Sequence, residues 1–173
     1  DAGLIATSNI RLAKKIRMLK EYGWKERNFS MIHGRNSRMD EIQAAILNLK
    51  LKFLDKNNNK RKRIAYMYNN ELKNLDLITP IIEKNSDHVF HLYVIRTKLR
   101  NKLMQFLKNR NISTSIHYPT PVHLQKAYKE LKKSHSMSIS EKVSKEIISL
   151  PIFPEMTDKQ ALYISKSIKK FFK

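Results

Sequence analysis

The chain has no cysteine among its 173 residues and only three glycines. The absence of cysteine excludes disulfide bonds, thiolate catalysis and cysteine-ligated metal sites. With so few glycines, the chain contains no glycine-rich phosphate loop. No apolar run approaches the roughly 18 residues that a membrane-spanning helix needs, and the N-terminus lacks the basic and apolar regions of a signal peptide. These absences favour a cytoplasmic protein without a membrane partner.

Acidic residues are also scarce, with 15 Asp and Glu against 35 Lys and Arg, which gives a formal net charge of +20. A charge of this size suits a polyanion, so a basic nucleic-acid-binding domain is one alternative function. The lysines, however, are scattered from Lys14 to Lys173 and do not form one block with interleaved aromatic residues. Scattered charge mostly gives weak, salt-sensitive contacts. We therefore expect no specific nucleic-acid partner.

The six histidines do not form a recognisable metal motif. His88 and His91 lie three positions apart on a predicted strand, which places them on opposite faces of it. His117 and His123 flank a loop and have no carboxylate close to them in the sequence. No HExxH spacing and no serine elbow motif is present. The sequence therefore predicts no metal site and contains no complete catalytic set.

The N-terminal part of the chain predicts a strand followed by a helix. Residues 4–7 form a short apolar run that predicts a buried strand. Ser8 or Asn9 then caps a helix that stops at Tyr22 and Gly23. Residues 24–32 are expected to form a loop.

A strong helix start lies within residues 33–55, HGRNSRMDEIQAAILNLKLKFLD. Ser37 is predicted as the N-cap, with Asp40 three positions later as in a capping box. Apolar residues recur at helical spacing and predict a buried face: Met39, Ile42, Ile46, Leu49 and Phe53. The helix N-terminus, with Arg35, Asn36 and Arg38 beside it, suits a phosphate or another anion. The alternative is an ordinary capped core helix whose arginines are solvated.

The rest of the chain predicts one more long helix and then a mixed domain. The helix is expected over residues 60–75, with these apolar positions on one face: Ile64, Met67, Tyr68, Leu72 and Leu75. From residue 77 the order of predicted elements is strand, strand, helix, strand, helix, helix. Strands are expected at 77–80, 88–96 and 112–116. Helix starts are expected at Thr97, Ser138 and Thr157. This order predicts a small sheet covered by helices on one side.

The loop at residues 117–123, HYPTPVH, is a second candidate binding feature. Its two prolines restrict the backbone. Rigid loops that carry histidine and tyrosine are common at binding sites. The alternative is a structural connector whose histidines contact water, and the residues alone fit both.

Five motifs in a fixed order carry a family resemblance. They are a helix ending in YG, G-x-N-S-R-x-D-E-x-Q-A-A at residues 34–45, H-x-Y-V-I-R at 91–96, I-H-Y-P-x-P-x-H at 116–123 and L-P-I-x-P at 150–154. With them the chain resembles the C-terminal half of the DegT/DnrJ/EryC1/StrS aminotransferases, over essentially its whole length. The likeness is greatest to members that make 3-amino or 4-amino dideoxy sugars on dTDP or UDP.

The resemblance implies an α/β protein, the C-terminal part of a fold type I transferase that depends on pyridoxal 5'-phosphate. It implies a small, mostly antiparallel sheet covered by helices, together with long bridging helices. Residues 1–25 would be the last strand and helix of the large cofactor-binding domain. Residues 26–76 would hold the active-site turn and the bridging helices, and residues 77–173 would form the small α+β domain.

The resemblance also implies partners and site residues. Members of the family transfer an amino group, usually from glutamate, to a nucleotide-linked keto sugar, for polysaccharide or deoxyaminosugar biosynthesis. They are homodimers with shared active sites. Asn36 matches the residue that reaches the cofactor phosphate of the neighbouring subunit, and Arg38 matches one near that subunit's sugar-nucleotide phosphates. His117 and Tyr118 match the loop that faces the substrate.

The lysine that forms the Schiff base with the cofactor would lie just upstream of Asp1, so the resemblance implies no catalytic residue in this chain. Pyridoxal chemistry depends on that lysine, and we expect the chain to be inactive as an isolated piece. The alternative is a non-catalytic fragment that acts only as a packing or binding module.

We predict that the 173-residue chain, mixed alone with pyridoxal 5'-phosphate, forms no stable covalent link to it. After dialysis, its spectrum should show no protein-linked cofactor band. Borohydride reduction followed by peptide mass mapping provides the check. A single lysine that is labelled stoichiometrically would contradict the prediction.

Overall fold

The computed structural model describes residues 2–128 and 137–173. The chain divides into two units, Asp1–Leu54 and Asp55–Lys173. Among the described residues, no helix is both long and apolar enough to cross a bilayer.

Helix α1 opens the first unit and spans Ile10–Lys20. Asn9 is its N-cap, because the Asn9 side chain accepts a hydrogen bond of 3.0 Å from the backbone N–H of Leu12. Of the two predicted N-caps, Ser8 and Asn9, the structure confirms Asn9. The helix stops where Tyr22 and Gly23 take positive φ angles of 58° and 77°, as predicted.

The strand predicted at residues 4–7 is wrong. This segment has no regular secondary structure, and Leu4 and Ile5 are 87% and 69% exposed. A strand exists only where a neighbouring strand completes its backbone hydrogen bonds. No described segment pairs with residues 4–7, so the apolar run has no partner here.

Residues 24–32, predicted as a loop, contain a small hairpin instead. Strand β1 spans Trp24–Glu26 and pairs antiparallel with strand β2, Phe29–Ser30. Asn28 in the tight turn has a φ of 66°, a conformation that asparagine tolerates better than most residues. The turn therefore reverses the chain without a glycine.

Helix α2 spans Glu41–Leu51, and its N-cap is Asp40 rather than the predicted Ser37. Asp40 and Gln43 form the capping box, in which the Asp40 N–H donates to Gln43 Oε1 at 3.0 Å. Residues 37–39 stay outside the helix, and the N–H of Ser37 donates to the carbonyl of Lys20 at 3.0 Å.

The apolar face predicted to be buried along α2 is exposed, so that prediction is wrong for the chain as it stands. The exposed fractions lie between 40% and 71% for these residues: Met39, Ile42, Ile46, Leu49 and Phe53. Helix α2 has no buried residue. Periodicity identifies the side of a helix that suits burial, but it does not supply the surface that covers it.

Helix α3 spans Leu54–Leu72 and supplies much of the core of the second unit. It begins six residues earlier than predicted, and the break before it falls at Lys52 and Phe53. Asp55 lies in its first turn, where a negative charge is favourable. The predicted apolar face is confirmed, since Ile64, Tyr68 and Leu72 are buried.

The second unit is built around a small antiparallel sheet. Strand β3, Tyr93–Arg96, pairs with strand β4, Ile147–Leu150, in the register Tyr93 to Leu150. The strands predicted at 77–80 and 112–116 are reduced to single bridges, Ile78 to Arg96 and Ser115 to Ser149. Strand β4 was not predicted, because its four residues directly follow a helix and all four are buried. They therefore lack the alternation of inward apolar and outward polar residues that indicates a half-exposed strand.

The described residues of this unit form three more α-helices: α4, Arg100–Lys108; α5, Ser138–Glu146; and α6, Asp158–Phe171. A short 3-10 helix covers Val122–Leu124. The predicted cap Thr157 is confirmed, since its hydroxyl accepts from the Gln160 N–H at 3.3 Å. Helix α4 starts later than the predicted cap Thr97, which binds the N–H of Leu99 instead. Side chains from α3, α4, α6 and the sheet form one core.

Two tyrosines at the centre of this core keep their hydroxyl groups satisfied. The Tyr68 hydroxyl donates to the carbonyl of Pro151 at 2.8 Å, and the Tyr93 hydroxyl donates to Asn69 Oδ1 at 2.5 Å. Burial raises the pKa of both tyrosines well above the usual value. Both groups therefore stay neutral donors, which a buried hydroxyl needs.

We predict that Ile64→Ala lowers the free energy of unfolding of the full-length protein by about 2–5 kcal/mol, because it opens a cavity in the core. The exposed residue Asn70 on the same helix provides the control. Asn70→Ala should change that free energy by less than about 0.5 kcal/mol. Urea denaturation measures both, and equal losses would contradict the assignment of this helix face.

Candidate functional site

A backbone ladder joins residues 35–37 to the end of α1. The Arg35 N–H donates to the carbonyl of Leu19 at 2.9 Å, and the Tyr22 N–H donates to the carbonyl of Arg35 at 3.2 Å. The bond from Ser37 to Lys20 continues the pattern. As a result, Glu21 and Asn36 face each other as an antiparallel bridge.

Two glycines permit this close approach. A Cβ atom on Gly34 would lie 2.1 Å from the backbone nitrogen of Gly23. A Cβ atom on Gly23 would lie 1.7 Å from the carbonyl oxygen of Ile32, and Gly23 also has a positive φ. Any other residue at either position would push the two segments apart. Gly34, which opens the motif that contains Asn36, is therefore required for the backbone to follow this path.

The ladder brings the predicted site residues Asn36 and Arg38 together. In extended backbone, residues two positions apart project from the same side. The Arg38 Nε–H donates to Asn36 Oδ1 at 3.0 Å. Arg38 Nη1 also lies 3.6 Å from Glu21 Oε2. Both side chains are exposed, and the Asn36 amide nitrogen has no partner in the described part of the chain.

The helix N-terminus does not contribute to this site as the sequence suggested. Helix α2 begins at Glu41, after the Asn36–Arg38 segment, and the acidic residue Asp40 caps it. Glu41 adds a second negative charge to the first turn. A capped, acidic helix end does not attract an anion. The case for an anion site in this segment therefore rests on Asn36 and Arg38 themselves.

The second pair of predicted site residues, His117 and Tyr118, lies in the other unit. His117 is half-buried, and its Nδ1 lies 2.8 Å from the hydroxyl oxygen of Ser149. Ser149 is buried on β4 and is bridged to Ser115, so its position is fixed. Tyr118 is 73% exposed, and its ring lies edge-on to that of His117. One residue is thus held by the sheet and the other faces solvent.

His123, at the end of the same loop, has a structural role. It is 3% exposed, and its Nε2 lies 3.0 Å from Glu141 Oε1 on α5. This contact ties the loop to α5, so the alternative in which the loop histidines contact water does not hold for His123. Between the loop and α5 lies a groove of about 540 Å³, and Tyr118 and Pro121 are among the residues that line it.

Sequence reasoning missed three residues that shape these sites. Glu21 directly precedes the predicted helix stop, and its contact with Arg38 requires a pairing that no local pattern indicates. Ser149 lies on the unpredicted strand β4. Glu141 lies 18 positions from His123, and no local pattern indicates that the two side chains pair.

The sequence pattern of the DegT/DnrJ/EryC1/StrS aminotransferase family matches residues 1–169. The chain is 39% identical, over 169 residues, to the dTDP-3-amino-3,6-dideoxy-alpha-D-galactopyranose transaminase of Aneurinibacillus thermoaerophilus. That match covers 98% of this chain and 46% of the relative. The chain thus spans about half the length of the curated relatives it matches.

Solved structures of other proteins share the fold. DesV from S. venezuelae is 34% identical, with a TM-score of 0.90, and the match covers 96% of this chain and 46% of DesV. NtdA from Bacillus subtilis, solved with its cofactor PMP, is 28% identical with a TM-score of 0.87; here the match covers 96% of this chain and 41% of NtdA. The predicted fold class, α/β with helices and a small antiparallel sheet, is confirmed. The chain belongs to the DegT/DnrJ/EryC1/StrS aminotransferase family, as its motifs predicted.

Proposed function

We propose that this chain is the C-terminal part of a pyridoxal-phosphate-dependent aminotransferase that aminates a keto sugar on a nucleotide carrier. The family assignment and the dTDP-sugar transaminases among the relatives support this proposal. Glutamate as the amino donor, a role in deoxyaminosugar or polysaccharide biosynthesis and a cytoplasmic location belong to the same proposal. The observation that carries it is the hydrogen-bonded pair of Asn36 and Arg38.

This pair offers donors to an anion. The oxygen of the Asn36 amide is occupied by Arg38, so the amide nitrogen is the end left for another partner. A guanidinium has only donors, and Arg38 is 47% exposed. Phosphate oxygens are acceptors, and hydrogen bonds that involve a charged partner are about twice as strong as neutral ones. An amide beside a guanidinium therefore suits a phosphate group.

The residues present fit one part of the cofactor. When bound, pyridoxal 5'-phosphate supplies the electron sink for amino-group transfer. Asn36 would hold its phosphate group by donating from the amide nitrogen. Arg38 would bind the sugar-nucleotide phosphates. No lysine of this chain is assigned the Schiff-base role in this proposal.

We further propose a homodimer in which Asn36 and Arg38 act on the active site of the other subunit. The exposed apolar face of α2 supports this arrangement, since Ile42, Ile46 and Leu49 follow the Asn36–Arg38 segment directly. Large exposed apolar surfaces usually mark an interface. A dimer contact along α2 would cover this face and would carry the neighbouring turn to the partner.

His117 and Tyr118 are proposed to face the substrate. The contact of His117 with the buried Ser149 fixes the ring, and the exposure of Tyr118 leaves its hydroxyl available. A positioned ring beside an accessible phenol suits the hydroxyl-rich surface of a sugar. The division into a cofactor-domain remnant at 1–25, a bridging part at 26–76 and a small domain at 77–173 stays part of this proposal.

We predict that Asn36→Ala weakens cofactor retention in the full-length protein by roughly tenfold or more, since a hydrogen bond to a charged group is worth about 1.5–3 kcal/mol. Arg38→Ala should chiefly raise the KM for the nucleotide sugar. Asn48→Ala and Arg27→Ala are the matched controls, because both residues are exposed in the same unit. Equilibrium dialysis and steady-state kinetics make the measurements. Effects no larger than those of the controls would refute the phosphate-binding role.

Subunit mixing tests whether these residues act across the dimer. We predict that an Asn36→Ala subunit mixed with one lacking the Schiff-base lysine regains activity, because one of the two shared sites is then intact. The same holds for Arg38→Ala. Differently tagged subunits allow the hybrid to be purified. If a purified hybrid is no more active than either parent, the residues act within their own subunit.

A further inference from the structure

We propose that Glu21 is a positioning residue for the anion site. Its carboxylate holds the Arg38 guanidinium, and Arg38 in turn orients the amide of Asn36. This inference rests on the proposed function, since it concerns how Asn36 and Arg38 meet their phosphate groups. Glu21 itself touches neither cofactor nor substrate in this scheme.

The backbone ladder explains why Glu21 lies within reach. Glu21 and Asn36 are directly opposed in an antiparallel bridge, and opposed side chains in such pairs lie on the same face. Arg38 projects from that face as well. It therefore has two neighbours, with Asn36 Oδ1 at 3.0 Å from its Nε and Glu21 Oε2 at 3.6 Å from its Nη1.

Glu21 is itself well anchored. Its N–H donates to the carbonyl of Met18 at 3.1 Å, and its carbonyl accepts from the Trp24 N–H at 3.0 Å. Its side chain is 30% exposed, less than that of Arg38 at 47%. Because Glu21 is less exposed and its backbone is held, it can restrict the movement of the Arg38 side chain. The carboxylate thus limits the positions that the long arginine side chain can adopt.

The orientation of the Asn36 amide is the consequence that matters for binding. An amide presents an acceptor at one end and donors at the other. Because Arg38 Nε–H can only donate, it selects Oδ1 as its partner and directs the nitrogen the opposite way. A phosphate needs hydrogen-bond donors. An amide flipped by 180° would instead present its oxygen, an acceptor, to the anion. Glu21 and Arg38 together keep the Asn36 amide in the orientation that binds phosphate, before the ligand is present.

The first experiment measures binding rather than turnover. Full-length protein carrying Glu21→Gln is titrated calorimetrically with dTDP and with UDP, and cofactor retention is measured by dialysis. Exposed ion pairs contribute modestly, so we expect the Kd of the better-bound nucleotide to rise about two- to fivefold. The control Glu26→Gln removes the same charge from β1 and should leave the Kd unchanged. A Kd that stays the same or falls in Glu21→Gln overturns the inference.

A double-mutant cycle then tests whether Glu21 acts through Arg38. In an Arg38→Ala background, Glu21→Gln should cause no further loss, because the group that it positions is gone. Fully additive losses overturn the inference. Glu21→Asp keeps the charge and should restore part of the affinity, which loss of folding would not allow.

The cycle also separates the two proposals. If Arg38→Ala weakens nucleotide binding while Glu21→Gln does not, the anion site stands and the positioning role of Glu21 fails. If Arg38→Ala leaves nucleotide binding unchanged, the proposed role of Arg38 fails and the positioning role fails with it.

Discussion

The pairing of residues 35–37 with the end of α1 is the contact on which the candidate site depends. Three backbone hydrogen bonds hold it, and it forms only because Gly23 and Gly34 let two backbones meet without side chains between them. It places Asn36 opposite Glu21, and α2 begins after this pairing, at Glu41. The side-chain chemistry of the site is thus a consequence of where the main chain is allowed to run.

Several parts of the fold followed from local chemistry. The Asn9 and Thr157 caps and the buried face of α3 depend on residues within one or two helical turns, and the sequence contains that information. Asn36 and Arg38 were identified through a motif, and the structure shows why the spacing of two brings them together. Their roles at the cofactor and substrate stay predictions.

The parts that local patterns could not supply depend on distant partners. Strand β4 exists because Tyr93 to Arg96 and Ser115 pair with it from both sides, and the alternation typical of a half-exposed strand is missing there. The strand expected at residues 4–7 had the right composition, but no segment that the structure describes pairs with it. The face of α2 had the right periodicity, but it stays exposed in the described part of the chain. In each case the sequence indicated a preference for a strand or for burial. Whether the strand or the buried face formed depended on the segment that packs or pairs against it.

The ladder also changes how this turn would respond to a change in length. Surface turns usually accept an added residue at little cost, because their ends stay where they were. Here the side chains alternate between two sides of an extended segment, so one extra residue between Gly34 and Asn36 would shift the register by one place. Ser37 would then face Glu21's side of the ladder, and the amide and guanidinium would point the other way. The spacing in this short stretch therefore carries as much chemical meaning as the residues themselves.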